Sequence, residues 1–296
     1  MTIFQAHQSA LSQLRKNETE FSEAPLLARL LLDELASTPH AHLQQPQAEL
    51  SPSQIAQLEL WISELLSGKP LAYILEKRDF YKLRFHSDSR ALVPRPETEL
   101  LVEEVLRRAR STFETTIADL GTGTGCIAIS LAHELPNATI IATDVSREAI
   151  ALAKQNASTL VPASVSQNRL KFVRGVLGDW AGPIFNHDTE YFGPFDFLVS
   201  NPPYIARQEI ETLQPQVRDF EPRSALDGGE DGLDCYRQIA SQCGVLLKPT
   251  GVVLCELGMG QFEEVRAIFQ SHNWRVEPPI FDFAGIARIL VAQPTS

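Results

Sequence analysis

The tetrapeptide Asn201-Pro202-Pro203-Tyr204 follows an apolar run, residues 195–200, that is typical of a buried strand. Two consecutive prolines lack backbone N–H donors and hold the chain extended. The Asn201 side-chain oxygen and a nearby main-chain carbonyl can therefore be fixed as acceptors. Two such acceptors at a strand end could bind the two N–H groups of a planar amino or amide nitrogen. A rigid turn with a surface tyrosine is the alternative interpretation.

The second candidate site is the glycine-rich segment Asp-Leu-Gly-Thr-Gly-Thr-Gly from Asp119 to Gly125, which joins an apolar run to a helix-like one. Glycines allow positive φ angles and let a ligand approach the backbone closely. The dinucleotide fingerprint G-x-G-x-x-G would need glycine at Cys126, so the spacing favours a nucleoside-type cofactor without a pyrophosphate. A strand-to-helix turn without a ligand is the alternative.

Two further positions extend this possible cofactor site. Asp144 ends the next apolar run, 25 residues after Asp119, where a carboxylate can accept from both ribose hydroxyls, or can instead cap the following helix, as Ser146 also could. Trp180 could stack on an adenine ring, and we favour that role over a core position. Asp179 either accepts from the adenine amino group or belongs to a turn.

The elements that would position these residues alternate between strand and helix from Thr116 onward. Such alternation predicts a mostly parallel sheet with helices on both faces, whose ligands bind at the carboxyl ends of the strands. The predicted strands are residues 116–120, 139–144, 170–175, 195–201, 252–257 and 287–293, and the predicted helices are 126–135, 147–157, 235–247 and 261–270.

The first 75 residues have a different pattern, with apolar residues at helical spacing. Pro25 and the Ser51-Pro52 pair mark two helix starts, because Ser caps and Pro fits the first turn. Two extended runs, 80–85 and 90–93, flank the polar segment His-Ser-Asp-Ser and predict a hairpin. A further helix is expected just after Pro96.

Composition limits the partners of the chain. The 296 residues suggest about two domains, and residues 1–85 hold 8 Lys and Arg against 10 Asp and Glu, while residues 86–296 hold 18 against 27. Neither part has the basic excess that binding to a phosphate backbone usually requires. The four cysteines fit no zinc pattern, and no signal peptide or membrane span is visible. We therefore expect a cytoplasmic protein without a metal.

These motifs resemble the class I S-adenosylmethionine-dependent methyltransferases that act on planar amino nitrogens, a group that includes DNA adenine methyltransferases. Further segments are similar to the release factor glutamine methyltransferase family in particular: GKPLAYI at 68–74, DFYKLRF at 79–85, LVPRPETELLVEE at 92–104, VSNPPYI at 199–205 and FEPRSALDGGEDGLDCYRQI at 220–239. Two departures are a long segment at 181–194 and Ala287, where the family often has an acidic residue.

The resemblance implies a Rossmann-like α/β methyltransferase domain, residues 95–296, preceded by a helical substrate-recognition domain, 1–78, and a hairpin linker, 79–94. It implies that S-adenosylmethionine is consumed to S-adenosylhomocysteine. Substrate binding is implied for Asn201, Pro202, Pro203 and Tyr204, of which Asn201, Pro202 and Tyr204 are catalytic. Cofactor binding is implied for Asp119, Gly121, Thr122, Gly123, Thr124, Gly125, Asp144, Asp179, Trp180 and Asn201.

The implied reaction is methylation of the side-chain amide nitrogen, N5, of the glutamine in the Gly-Gly-Gln loop of class I peptide chain release factors, a step related to translation termination. No nucleic acid or membrane partner is expected. Two rival functions stay open at this point. One is an adenine N6 methyltransferase, which would need a flipped base and basic tracks, and the other is a non-catalytic adaptor that binds S-adenosylmethionine.

Overall fold

The computed structural model describes residues 1–15, 23–109, 114–163, 169–175, 178–185 and 194–295. The chain forms two compact units. The first contains residues 1–76 and the short segment 215–220, and the second contains residues 77–214 and 221–296. Among the described residues, no helix is long and apolar enough to cross a membrane. All four cysteines are free thiols.

The first unit is helical, as the apolar spacing predicted. Its helices are α1 (Ile3–Arg15), α2 (Ala24–Ala36), α3 (Ala41–Gln44), α4 (Pro52–Leu66) and α5 (Leu71–Ile74). Helix α4 begins where the sequence indicated, because the Ser51 side chain accepts from the Gln54 N–H and the Gln54 side chain accepts from the Ser51 N–H. The core of this unit contains fully buried Ala6, Leu31 and Ile62.

The predicted position of the hairpin turn is wrong. Strand β1 (Lys77–Phe80) pairs antiparallel with β2 (Leu83–His86), and the chain reverses at Tyr81 and Lys82, with φ of 41° and 64°. Two central residues with positive φ are typical of a type I′ turn, which usually contains Asn, Asp or Gly. Since this turn contains none of them, the sequence signal pointed instead to residues 86–89, which begin at the last residue of β2. Residues 90–93 form no strand.

The second unit contains a mixed sheet in the order β5-β4-β3-β6-β7-β10-β8, with β9 paired to β10. Its strands are β3 (Thr116–Leu120), β4 (Thr139–Asp144), β5 (Leu170–Arg174), β6 (Phe195–Ser200), β7 (Leu247–Glu256), β8 (Trp274–Val276), β9 (Ile280–Phe281) and β10 (Ala287–Pro294). Strands β3 to β7 are parallel, while β10 is antiparallel to β7, β8 and β9. The prediction of a mostly parallel sheet is confirmed.

Helices cover both faces of this sheet. They are α6 (Glu99–Ala109), α7 (Cys126–Glu134), α8 (Arg147–Leu160), α9 (Gly182–Phe185), α11 (Asp234–Gln242) and α12 (Phe262–Ser271). The short helix α10 (Pro215–Arg218), which precedes α11 in the chain, belongs to the first unit. Neighbouring strand residues alternate between two buried cores: Ile117 packs in the core that contains α6 and α7, and Ala118 in the core that contains α11 and α12.

Two other predictions need correction in the C-terminal part of the chain. The helix predicted for residues 235–247 ends at Gln242, a 3₁₀ turn follows at Cys243–Leu246, and strand β7 already begins at Leu247. Gly244 is a poor helix former, which is consistent with the early end. Strands β8 and β9 were not predicted, because two or three residues are too few to show an alternating pattern.

Candidate active site

The carboxyl ends of β3, β4 and β6 open into one cavity of about 500 Å³. The sequence predicted that these strand ends meet, and the structure brings most of the candidate residues to the cavity wall. Lining candidates are Gly121, Thr122, Gly123, Thr124, Asp144, Asp179, Trp180, Asn201 and Pro203. The cavity wall does not include Asp119, Gly125, Pro202 or Tyr204. Asp119 is hydrogen-bonded to Thr122 of the wall, and Gly125, Pro202 and Tyr204 are each next in the chain to a residue of the wall.

The glycine loop turns the chain sharply from β3 into α7. Gly121 and Thr122 donate their N–H groups to the Thr143 carbonyl on β4, at 2.9 and 2.8 Å. Gly125 precedes α7 with φ of 83°, and a Cβ atom there would lie 2.7 Å from the Ile129 side chain. Glycine is therefore needed at 125 both for its backbone conformation and for space.

Asp119 shapes this loop from inside the protein. Its side chain is fully buried, and Oδ2 accepts a hydrogen bond from the Thr122 hydroxyl at 2.6 Å. Burial raises the pKa of Asp119 to about 7, against the opposing effect of the Thr122 hydrogen bond. The residue thus acts on the cavity through Thr122, which lines it.

Asp144 connects the glycine loop to the start of α8. Its Oδ2 accepts from the Gly123 N–H and its Oδ1 from the Ser146 N–H, both at 2.9 Å. The side chain that caps α8 is that of Ser146, which accepts from the Ala149 N–H at 3.1 Å. Burial raises the pKa of Asp144. Because a carboxylate has about four lone-pair sites, Asp144 keeps acceptor capacity for a ligand in the cavity it lines.

Asp179 and Trp180 lie on another part of the cavity wall. The Trp180 ring N–H donates to the Gln238 side chain at 2.8 Å, and the ring lies against Gly121, where an added methyl group would be 3.7 Å away. Asp179 Oδ1 accepts from the Gly182 N–H at 2.6 Å, at the start of α9. Asp179 therefore belongs to a turn, and its Oδ2 can still accept a hydrogen bond from a ligand. Residues 186–193 of the long segment lie outside the described residues.

The Asn-Pro-Pro-Tyr segment leaves the carboxyl end of β6 next to the glycine loop. The Ser200 hydroxyl donates to the Leu120 carbonyl at 2.7 Å and joins the ends of β6 and β3. Asn201 Nδ2 donates to the Thr98 hydroxyl at 3.0 Å. The Tyr204 hydroxyl lies 3.5 Å from Glu256 Oε1, and burial raises the pKa of Tyr204.

A glycine-rich segment, residues 226–232, packs behind this tetrapeptide. Ile205 donates its N–H to the Leu226 carbonyl at 3.0 Å, and the Ile205 carbonyl accepts from the Gly228 N–H at 2.9 Å. Gly232 has φ of 78°, and a Cβ atom there would lie 2.4 Å from the Tyr204 carbonyl oxygen. The sequence Asp-Gly-Gly-Glu-Asp-Gly therefore allows two backbone segments to approach closely at the site.

Three polar residues that sequence reasoning missed hold the site together. The Thr98 hydroxyl donates to Glu256 Oε2 at 2.6 Å, and both residues are buried. Asn156 on α8 donates to the Thr124 carbonyl at 3.0 Å and accepts from the His86 N–H at 2.8 Å, so it links the hairpin to the glycine loop. The sequence signal that could have identified Glu256 is an acidic residue near the end of the apolar run 252–257.

Comparison with known proteins gives two matching family models. Residues 96–217 match the methyltransferase small domain, and residues 5–75 match the PrmC N-terminal domain. A release factor glutamine methyltransferase from Bradyrhizobium diazoefficiens is 35% identical, over 99% of this chain and 95% of the relative. The protein of the same name from Koribacter versatilis is 36% identical over the full length of both.

Solved structures are similar in fold. The hMettl16 catalytic domain, solved in complex with the MAT2A 3′UTR hairpin 6, superimposes with a TM-score of 0.56 over 88% of this chain and 91% of that one, at 16% identity. A methyltransferase from Pyrococcus furiosus gives a TM-score of 0.50 over 78% and 95%, at 17% identity. These likenesses show the class I methyltransferase fold.

Proposed function

Because the chain belongs to the release factor glutamine methyltransferase family, we propose that it transfers a methyl group from S-adenosylmethionine to the side-chain amide nitrogen, N5, of the glutamine in the Gly-Gly-Gln loop of class I peptide chain release factors. Two observations together support this proposal. Relatives with that name align over 99 to 100% of the chain, and the Asn201 amide group lies at the cavity wall with its nitrogen already engaged by Thr98.

The cavity suits a nucleoside-containing sulfonium cofactor. Asp144 keeps acceptor capacity for ribose hydroxyls, and the half-buried Trp180 ring offers a face for an adenine. The peptide N–H groups of the loop are partly used within the protein, since Gly121, Thr122 and Gly123 donate to Thr143 and Asp144. A pyrophosphate would need such N–H groups free, so the donor set favours a ligand that lacks one.

The chemical difficulty of the reaction is that an amide nitrogen is a poor nucleophile, because its lone pair is delocalised into the carbonyl. S-adenosylmethionine supplies an electrophilic methyl group on a sulfonium sulfur. The chain contributes orientation. Asn201 Oδ1 and the Pro202 carbonyl, which together form the substrate clamp, accept the two N–H groups of the substrate amide, and Tyr204 packs against the amide plane. Positioning of this kind can supply several kcal/mol of the barrier.

No side chain is assigned as a general base in this mechanism. An amide nitrogen that has gained a methyl group is strongly acidic until it loses its proton, so the proton can leave after the transfer. Asn201 and Pro202 then hold the single remaining N–H of the product less well than the two of the substrate. Release of the methylated loop is favoured by this loss of one hydrogen bond.

We assign substrate recognition to the helical residues 1–78, with residues 79–94 as linker and 95–296 as the catalytic domain. A Gly-Gly-Gln loop offers few contacts, so specificity must come from surfaces outside the cavity. The helical unit has its own core, and exposed apolar side chains on its surface include Phe4, Leu43 and Leu60. A deletion of residues 1–75 that left activity on an intact release factor undiminished would show that this unit only stabilises the protein.

The direct test is a transfer assay with labelled S-adenosylmethionine and three substrates: a purified class I release factor, the same factor with the Gly-Gly-Gln glutamine changed to alanine, and DNA. We expect label in the first substrate alone. Label in DNA would indicate an adenine methyltransferase. Binding of S-adenosylmethionine without transfer to any of the three would indicate a non-catalytic adaptor.

A further inference from the structure

Three polar side chains from distant parts of the chain form a continuous hydrogen-bonded series at the cavity. Asn201 Nδ2 donates to the Thr98 hydroxyl at 3.0 Å, and that hydroxyl donates to Glu256 Oε2 at 2.6 Å. Thr98 ends a 3₁₀ turn at Pro96–Thr98, and Glu256 ends strand β7. Both Thr98 and Glu256 are buried, at 2% and 1% exposure.

The series determines which end of the Asn201 amide faces Thr98. A threonine hydroxyl has one proton, and beside the ionised Glu256 carboxylate, which can only accept, that proton is used in the short bond to Glu256. Thr98 therefore presents a lone pair to Asn201, and only the NH₂ end of the amide can bind it. The oxygen of Asn201 must then point the other way. The two ends of an amide have nearly the same shape, so packing alone would not select one of them.

The orientation of the Asn201 amide decides what the substrate clamp can bind. With Oδ1 free, Asn201 can accept an N–H from a substrate amide. In the flipped orientation its NH₂ group would meet the NH₂ group of the substrate, two donors facing each other, while its oxygen would face a lone pair of Thr98. Each polar group left unpaired in that way disfavours the bound substrate.

We propose that Thr98 and Glu256 are positioning residues that hold the Asn201 side chain with its oxygen toward the substrate nitrogen. The inference rests on the proposed function, since it assigns Asn201 an acceptor role. Other contacts keep Glu256 in place: the Tyr236 hydroxyl donates to the Glu256 main-chain carbonyl at 2.7 Å. Neither Thr98 nor Glu256 is expected to touch the reacting atoms, and their effect passes through Asn201.

The kinetic test compares Thr98→Val, which removes the hydroxyl at nearly constant shape, with Thr98→Ser, which retains it. We expect Thr98→Val to lower kcat for release factor methylation by about tenfold or more. The KM for the release factor and the Kd for S-adenosylmethionine should stay close to those of the wild type, while the Tm falls because the buried Glu256 carboxylate loses a hydrogen bond. Thr98→Ser should recover most of the lost activity. Ser130→Ala, which deletes a buried hydroxyl on α7, is the matched control and should leave kcat unchanged.

Several results would overturn the assignment. One is Thr98→Val with wild-type kcat, and another is Thr98→Ser as impaired as Thr98→Val, because the hydroxyl would then not matter. A third is a loss of activity in Thr98→Val together with an equally large loss of S-adenosylmethionine affinity, since this indicates a structural role. The wild-type protein in the same assay reports separately on the proposed function.

A second measurement does not depend on any substrate. The side-chain NH₂ signals of Asn201 can be found in a ¹H–¹⁵N spectrum by their absence in Asn201→Ser. In the orientation proposed, one of these protons is bound to Thr98, so Thr98→Val should shift it and speed its exchange with water, while Ser130→Ala should not. Unchanged Asn201 signals in Thr98→Val would contradict the proposal even if the wild-type protein failed to methylate a release factor.

Discussion

Thr98 and Glu256 are 158 positions apart in the chain, yet the Thr98 hydroxyl donates to the Glu256 carboxylate at 2.6 Å directly behind Asn201. The carboxylate is almost completely buried, and this burial raises its pKa to about 7, while the Thr98 hydrogen bond and Arg288 oppose the effect and Glu97 adds to it. This buried acid therefore links the stability of the protein to pH.

The first prediction concerns stability in the Glu256→Gln variant. Below pH 4.5 Glu256 is protonated in both the folded and the unfolded chain. As the pH rises toward about 7, the unfolded chain loses this proton first, so the wild type loses stability relative to the variant. The free energy of unfolding of Glu256→Gln minus that of the wild type should increase by about 3 kcal/mol between pH 4.5 and pH 7.5.

Denaturant unfolding at a series of pH values measures this difference. Glu263→Gln on α12 is the control, because it changes an exposed carboxylate, and its difference from the wild type should stay nearly constant with pH. Parallel stability curves for the wild type and Glu256→Gln would show that the Glu256 carboxyl group titrates alike in the folded and unfolded chain.

The second prediction concerns cofactor affinity. Asp144→Ala removes the carboxylate that lines the cavity and also binds the Gly123 and Ser146 N–H groups. We expect the Kd for S-adenosylmethionine, measured by calorimetry, to rise by about 10- to 100-fold, because hydrogen bonds to a charged acceptor contribute about 1.5–3 kcal/mol. Asp79→Ala, in the exposed ion pair with Arg84 on the hairpin, should leave Kd unchanged. An unaltered Kd in Asp144→Ala would exclude Asp144 as a ribose ligand.

The third prediction tests the support behind the Asn-Pro-Pro-Tyr segment. Gly232 and Gly285 have nearly equal φ angles, 78° and 77°, so alanine strains the backbone similarly at both positions. Only at Gly232 would the added Cβ meet another group, the Tyr204 carbonyl oxygen at 2.4 Å. Gly232→Ala should therefore lower kcat at least about tenfold and leave cofactor affinity nearly intact, while Gly285→Ala retains activity. Equal activity of the two variants would mean that the clamp does not depend on this packing.

Local patterns in the sequence were sufficient to predict the framework of the site. The apolar run before Asn201, the glycines from 121 to 125 and the Asp at 144 each mark a strand end, and parallel strands bring such ends to one edge of the sheet. The Ser51-Pro52 signal likewise located the start of α4, because a capping box is a contact within one turn.

The parts that were missed depend on contacts between distant segments. Thr98, Asn156 and Glu256 each bind partners more than 30 positions away, and no periodicity or spacing in the chain encodes such pairs. The turn at Tyr81-Lys82 was missed for a different reason, since its residues usually avoid positive φ. In both cases tertiary packing, which a local pattern does not show, selects the conformation.

The central claim is that Asn201 holds the glutamine amide for methyl transfer. The most direct measurement is mass spectrometry of the release factor peptide that contains the Gly-Gly-Gln loop, after incubation with S-adenosylmethionine and either wild-type protein or Asn201→Ala at equal, saturating cofactor occupancy. We predict one added methyl group on the glutamine with the wild type and almost none with Asn201→Ala. Methylation by Asn201→Ala at the wild-type rate, or a methyl group from the wild type at any other residue, would contradict the account.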